Sequence, residues 1–136
     1  MSKVLDVLQE RVASLSGKEC VFGFLDNYVT QSNVLAQGRF ILEPQQRESL
    51  TIGINHRKQR NRTVKLYFLK MDHVKTKSKD TFYEIEEFLE KLEMDGQLLA
   101  CILNFDYQCN TRLIKRKEED TTGVIAFEIN IEIKER

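Results

Sequence analysis

The sequence predicts an α+β fold: an antiparallel or mixed sheet of about five to six strands with two helices packed on one face. Three observations carry this. Two stretches place apolar residues at helical spacing, one near the start and one past the middle. Several other runs alternate apolar and polar side chains, as half-buried strands do. The order reads α-β-β-β-β-α-β-β, runs of strands broken by single helices, not the one-for-one alternation of a parallel α/β sheet.

The first helix is expected over residues 3–16, where Val4, Leu5, Leu8, Val12 and Leu15 form one stripe. Ser2 suits the N-cap and Gly17 the left-handed position after the last turn. "CVFGFLDNYVT" and "SNVLAQGRFILEP" read as two strands around the turn-forming "TQSN", with Pro44, the only proline, ending the second. "SLTIGIN" reads as a third short strand with Leu50, Ile52 and Ile54 on one face. "TVKLYFLKM" is apolar on both faces (Val64, Leu66 and Phe68 against Tyr67 and Leu69), which predicts a central strand.

"KSKDTFYEIEEFLEKLEMDG" is the clearest helix, with Phe82, Ile85, Phe88, Leu89 and Leu92 as its stripe. Thr81 and Glu84 have capping-box spacing, and Gly96 can close the far end. Its other face is acidic: Glu84, Glu86, Glu87, Glu90, Glu93 and Asp95 against Lys91. "QLLACILNFDYQ" reads as a long strand that "TRLIKRK" extends or pairs with, and "KEEDTTG" as a loop. In "GVIAFEINIEIK", Ile125, Phe127, Ile129, Ile131 and Ile133 alternate with Glu128, Asn130, Glu132 and Lys134, the pattern of a half-buried antiparallel strand.

The 136 residues suit a single domain spanning 1–136, able to bury roughly two-thirds of the surface of the unfolded chain. Lys plus Arg number 21 and Asp plus Glu number 21, so no global field draws the molecule to nucleic acid or an anionic membrane. No apolar run reaches the roughly 18–20 residues that span a bilayer, and the acid-bearing N-terminus reads as an amphipathic helix, not a signal peptide. Cys20, Cys101 and Cys109 are odd in number and lack C-x-x-C spacing. They are expected as small hydrophobes in a reducing compartment, not as a disulfide framework.

Catalysis requires convergent groups. The sequence holds no phosphate-binding glycine loop, no H-E-x-x-H and no nucleophile elbow, so no catalytic residue, metal ligand or cofactor is assigned. Asp72-His73 at a strand end, with Asp106 in an apolar run, is the weak remaining candidate for a metal or acid–base site. An exposed strand end and a solvated carboxylate account for them more simply.

One feature stands apart. Arg57, Lys58, Arg60, Arg62 and Lys65 form a basic tract, and no carboxylate occurs from residue 49 to residue 71. The tract is expected in a loop leading into the central strand. Three readings follow: a solvated loop, an arm that meets an acidic neighbour, or a non-specific nucleic-acid grip using tract 57–65. "HRKQRNR" contains no aromatic stacking residue, so sequence-specific reading has no support. Basic tract and acidic helix on one neutral chain suit head-to-tail contacts between copies, which close into rings when the rotation allows.

The succession of a short N-terminal helix, hairpin strands, a basic loop, "RTVKLYFLKMD", "KDTFYEIEEFLEKL" and "GVIAFEINIEIK" resembles the small tail-completion or tail-terminator proteins of tailed bacteriophages. It resembles especially those of phages and prophages of Bacteroidetes-type hosts. The resemblance covers most of the chain and is one of element order, without a diagnostic motif. It implies an α+β, non-enzymatic structural virion protein, made in the host bacterial cytoplasm. It also implies a homo-oligomer, a hexameric ring that caps the tail tube and joins it to the head connector. Its implied partners are other tail and neck proteins and passing DNA read without sequence specificity, with no membrane. Under it, Arg57, Lys58, Arg60 and Arg62 would reach a neighbouring subunit or the DNA-filled lumen. The face carrying Glu86, Glu87, Glu90 and Glu93 would meet an adjacent protein.

Overall fold

The computed structural model describes residues 3–25, 38–73, 79–114 and 122–135. Along it run α1 (Val4–Ser16), β1 (Cys20–Phe22), β2 (Arg39–Ile52), β3 (Arg57–His73), α2 (Lys79–Glu93), a short α3 (Gly96–Leu99), β4 (Ile102–Ile114) and β5 (Thr122–Glu135). The strands form one mixed five-stranded sheet in the order β1-β2-β3-β5-β4, the α+β architecture that the patterning predicts. No helix among the described residues is long and apolar enough to cross a membrane.

β3 lies at the centre, antiparallel to β2 and β5, and its two-sided apolar character follows from that place. On one face, Phe40, Leu42, Val64, Leu66, Phe68 and the β5 isoleucines pack under Leu8 and Val12 of α1, Ile85, Phe88, Leu89 and Leu92 of α2, and Leu98 of α3. Phe68 meets Phe40 (ring centroids 4.7 Å apart) and Phe127 (6.0 Å), and Phe40 meets Phe88 (4.8 Å), so an aromatic chain ties three strands to α2. Each such ring removed from water contributes roughly 1.5–3 kcal/mol. On the opposite face a smaller cluster joins Ile41, Tyr67, Leu69 and Ala126 under Leu25.

Local chemistry sets the element ends. Gly17, at φ 69°, donates its N–H to Ala13 O and closes α1 as expected. Ser2 and the turn "TQSN" lie outside the described residues; Lys3 holds the position before α1 without a side-chain cap bond. Gly38 is required for a different reason. At φ 92°, a Cβ there would stand 2.5 Å from the Phe68 ring.

The structure corrects several expectations. β1 and β2 pair in parallel, Cys20 with Phe40 to Phe22 with Leu42, not as a hairpin. Pro44 does not end β2. It sits at a bulge between Pro44 and Gln46, past the last rung with β1, where among the described residues the strand is an edge and tolerates a residue lacking N–H. "SLTIGIN" is therefore the far end of β2 plus a turn, not a separate strand. Gly53 (φ 69°) and His56 (φ 55°) supply that turn's positive dihedrals. The basic tract is not a loop but the first part of β3.

Thr81 lies buried inside α2, which begins at Lys79, so Thr81 is not the N-cap. Gly96 opens α3 instead of closing α2, because Asp95 caps α3 by accepting the Leu98 N–H at 2.9 Å. β4 accordingly starts only at Ile102. Most of the expected loop "KEEDTTG" lies outside the described residues; Thr122 and Gly123 already belong to β5.

Candidate functional site

The hairpin of β2 and β3 outruns the rest of the sheet. The last rung between β3 and β5 pairs Asn61 with Lys134. Among the described residues, four further rungs, Ser49 with Arg60, Leu50 with Gln59, Thr51 with Lys58 and Ile52 with Arg57, have no third strand beside them. At ~3.4 Å per residue the ribbon and its turn project on the order of 15 Å. Its apolar side chains remain in solvent: Leu50 is 45%, Ile52 45% and Ile54 95% exposed.

Register assigns the faces, because paired residues on neighbouring strands point the same way. Counting from the helix-facing Val64, Leu66 and Phe68, the helix side of the ribbon carries Arg62, Arg60 and Lys58 with their partners Arg47, Ser49 and Thr51. The Lys58 ammonium donates to the Thr51 hydroxyl. The other side carries Arg57 and Gln59 opposite Ile52 and Leu50. The predicted group thus divides: Lys58, Arg60 and Arg62 share one face, and Arg57 lies on the other.

Arg62 is already engaged. Its Nε donates to Glu135 Oε1 at 3.1 Å, while Arg47 Nε donates to Glu135 Oε2 at 2.9 Å. The Glu135 side chain is 8% exposed. Burial pushes its pKa up, but the hydrogen bonds and charges of Arg47 and Arg62 outweigh this and leave it below the usual carboxylate value. This clamp fixes the root of the ribbon. Among the described residues, Arg57, Lys58 and Arg60 make no ion pair.

The acidic face of α2 presents Glu86, Glu87, Glu90 and Glu93, all exposed and likewise without an ion pair among the described residues. Two residues expected there behave differently. Glu84 lies 3.6 Å from Lys18. The Asp95 side chain is 8% exposed and takes two hydrogen bonds of 3.1 Å from the Arg11 guanidinium while it caps α3. Between α2 and β4 lies a cleft of about 250 Å³, with Phe82, Leu89, Tyr107 and Cys109 in its walls and Glu86 and Glu90 at its rim. Burial, then Glu93, Glu90 and Glu86, push the Tyr107 hydroxyl pKa up; burial and Glu86 do the same to the Cys109 thiol.

The weak metal candidate does not assemble. Asp72 pairs with Gly123 and His73 with Thr122, whereas Asp106 pairs with Glu132. Nine or ten residues of β5 separate these levels, roughly 30 Å. Asp106 is exposed and accepts a 2.8 Å bond from the Asn104 side chain. Among the described residues, no group of three His, Cys, Asp or Glu side chains is arranged to hold a metal ion. The three cysteines are free: Cys20 is buried, Cys101 half-buried and Cys109 exposed.

The ribbon, the Glu135 clamp and the cleft all escape the sequence pattern. The available signal for the ribbon was the turn chemistry of Gly53 and Asn55 between two alternating runs. Nothing local marks Glu135 or the cleft, since each joins residues far apart in the chain. No protein-family model matches this sequence, and no curated protein matches it either.

Proposed function

We propose that this chain is a non-enzymatic assembly subunit that self-associates through its ribbon. In line with the tail-terminator resemblance, we assign it to the tail end or neck of a tailed phage virion, as a ring subunit joining tail to head connector. The observation that carries the reading is the ribbon itself. A two-stranded extension gains no core and is marginal alone, yet this one holds Leu50, Ile52 and Ile54 in solvent above a dedicated clamp. Exposed apolar residues in such a setting mark contact surfaces.

Sedimentation velocity over a wide protein range at low salt, with and without a labelled DNA duplex, tests it. The expected result is a discrete oligomer that ignores the duplex. Charge reversal at Lys58 and Arg60 weakens that oligomer; Arg62 is left alone because it holds Glu135. Protein that stays monomeric at the highest concentration, with and without its ribbon charges, counts against assembly through this element.

A non-specific nucleic-acid grip is the second reading, favoured by the shared cationic face of Lys58 and Arg60. Its predicted footprint is shallow. Neutralising two phosphates gives a log–log salt slope of roughly −1.8, well short of proteins that make about 6–10 phosphate contacts. A monomer that sediments with the duplex at low salt and releases it as salt rises would favour this reading over assembly.

A further inference from the structure

We propose that the ribbon of one copy docks in the α2–β4 cleft of the next copy, with Ile54 entering the cleft and Lys58 and Arg60 meeting Glu86 and Glu90. This rests on the assembly reading above and names the receptor for the arm.

Charge identifies the occupant. Lys58 and Arg60 on the ribbon and Glu86 and Glu90 on the cleft rim form no ion pair among the described residues of a single copy. Opposite patches left unneutralised on one chain are complementary between chains, and complementarity of this kind sets register and encounter. Apolar character matches as well. Ile54, 95% exposed at the ribbon tip, faces a cleft whose walls include Phe82, Tyr107 and Cys109. The cleft, at about 250 Å³, falls below the ~300–1,000 Å³ of drug-sized ligand sites and suits one or two aliphatic side chains.

Topology makes the contact intermolecular. The cleft lies beside the rungs pairing Thr111 with Phe127, Cys109 with Ile129 and Tyr107 with Ile131. The ribbon starts beyond Lys134 and continues away from those rungs. Along β5 the two are roughly 10–25 Å apart at their roots, and the ribbon points outward. An arm at one end of the sheet and a receptor nearer the other end make a heterologous, head-to-tail contact. Such a contact closes into a ring or runs on as a filament, according to its rotation.

The test uses two full-length variants. The first carries Lys58→Glu and Arg60→Glu; the second carries Glu86→Lys and Glu90→Lys. Every substitution is at an exposed position, and circular dichroism checks the fold. Each variant alone opposes like charges, so its self-association falls roughly tenfold or more. Mixed, the two regain association, because each arm now meets a cleft of opposite sign. Loss in both variants without recovery on mixing overturns the cleft assignment and leaves the ribbon-based assembly reading standing. An oligomer insensitive to the ribbon substitutions overturns both.

A second measurement does not depend on charge. One preparation carries Ile54→Cys, Cys101→Ser and Cys109→Ser; the other carries only Cys101→Ser and retains Cys109. Cys20 stays in both, since burial, with Glu19 nearby, pushes its thiol up to about 12 and keeps it protonated. Mild oxidation of the mixture at alkaline pH is expected to join the arm thiol to Cys109, identified by peptide mass. Links only between two arms, or none at concentrations where the oligomer forms, overturn the proposal.

Discussion

β2 and β3 lie side by side through two unlike environments. At one end Phe40 pairs with Phe68 and Leu42 with Leu66, covered by helices and closed to water. At the other, Leu50 pairs with Gln59 and Ile52 with Arg57, and water reaches both faces. The hydrogen-bond ladder is common to both ends, so it cannot explain the difference in composition. The buried end is chosen for packing. The ribbon end keeps Leu50 and Ile52 about half exposed and Ile54 almost fully exposed, where they gain less than core side chains within one copy, so its composition reflects something outside that copy. Breaking each end separately should therefore give opposite phenotypes: lost stability without a specific assembly defect, or lost assembly without lost stability.

The largest expected effect is at Phe68. Its ring packs on Phe40 and Phe127, and it fills the space above Gly38. Phe68→Ala should cost about 3–5 kcal/mol in denaturant unfolding, the range for buried aromatic truncation. Gly38→Ala attacks the same contact from the backbone, since the added methyl meets the ring at 2.5 Å and φ stays at 92°. An overpacking cost of about 1–3 kcal/mol is expected. A neutral result at Gly38 would show that the ring yields easily and that this end is looser than its packing implies.

The clamp between the two ends comes next. Glu135→Gln keeps the shape but removes the charge that holds Arg47 and Arg62, and should cost roughly 1–3 kcal/mol. The pH dependence has a definite sign. Glu135 titrates below its usual 4.5 in the folded protein, so its stabilisation is complete above 4.5 and is lost as pH falls through the lowered folded value. Thermal unfolding between pH 6 and pH 3 should be flatter in Glu135→Gln than in the parent chain. Parallel curves would mean that the pair of arginines is not what lowers this carboxyl.

Asp95 separates a cap from an ion pair. Asp95→Asn keeps an acceptor for the Leu98 N–H but gives up the charge facing Arg11; Asp95→Ala loses both. The alanine variant should be less stable than the asparagine variant by about 0.5–2 kcal/mol, the worth of an N-cap. Equal stabilities would place the whole contribution in the contact with Arg11.

What the sequence reveals divides along the same lines. The alternation of Ile125 to Ile133 and the stripe of α2 are legible because helix and sheet bury one face each, and burial writes a period into the chain. The extent of β2 is not legible. The extra residue at the Pro44–Gln46 bulge shifts the phase of alternation, and one strand then reads as two. Buried acids are hidden for another reason. Asp95 and Arg11 are 84 positions apart, and Glu135 and Arg47 are 88 apart. No local pattern distinguishes these acids from the solvated glutamates of α2. Of the candidate site, the two opposite charge patches were visible in sequence. Their placement at different ends of one sheet was not, because it depends on strand lengths and order.

The smallest expected stability change is the most informative about the ribbon. Leu50→Thr, Ile52→Thr and Ile54→Ser replace side chains that are 45%, 45% and 95% exposed. The two threonines retain strand-forming character, so β2 has no local reason to fray. Leu50 and Ile52 are about half covered and Ile54 hardly at all, so unfolding free energy should fall by no more than about 1 kcal/mol for each substitution. Sedimentation should nevertheless show weaker self-association, because Ile54, the apolar tip of the contact, is gone while Lys58 and Arg60 remain. If association survives unchanged, the contact is carried by charge alone, and Ile54 does not enter the cleft. If stability falls by several kcal/mol instead, the ribbon packs against its own copy and the contrast between the two ends of β2 and β3 disappears.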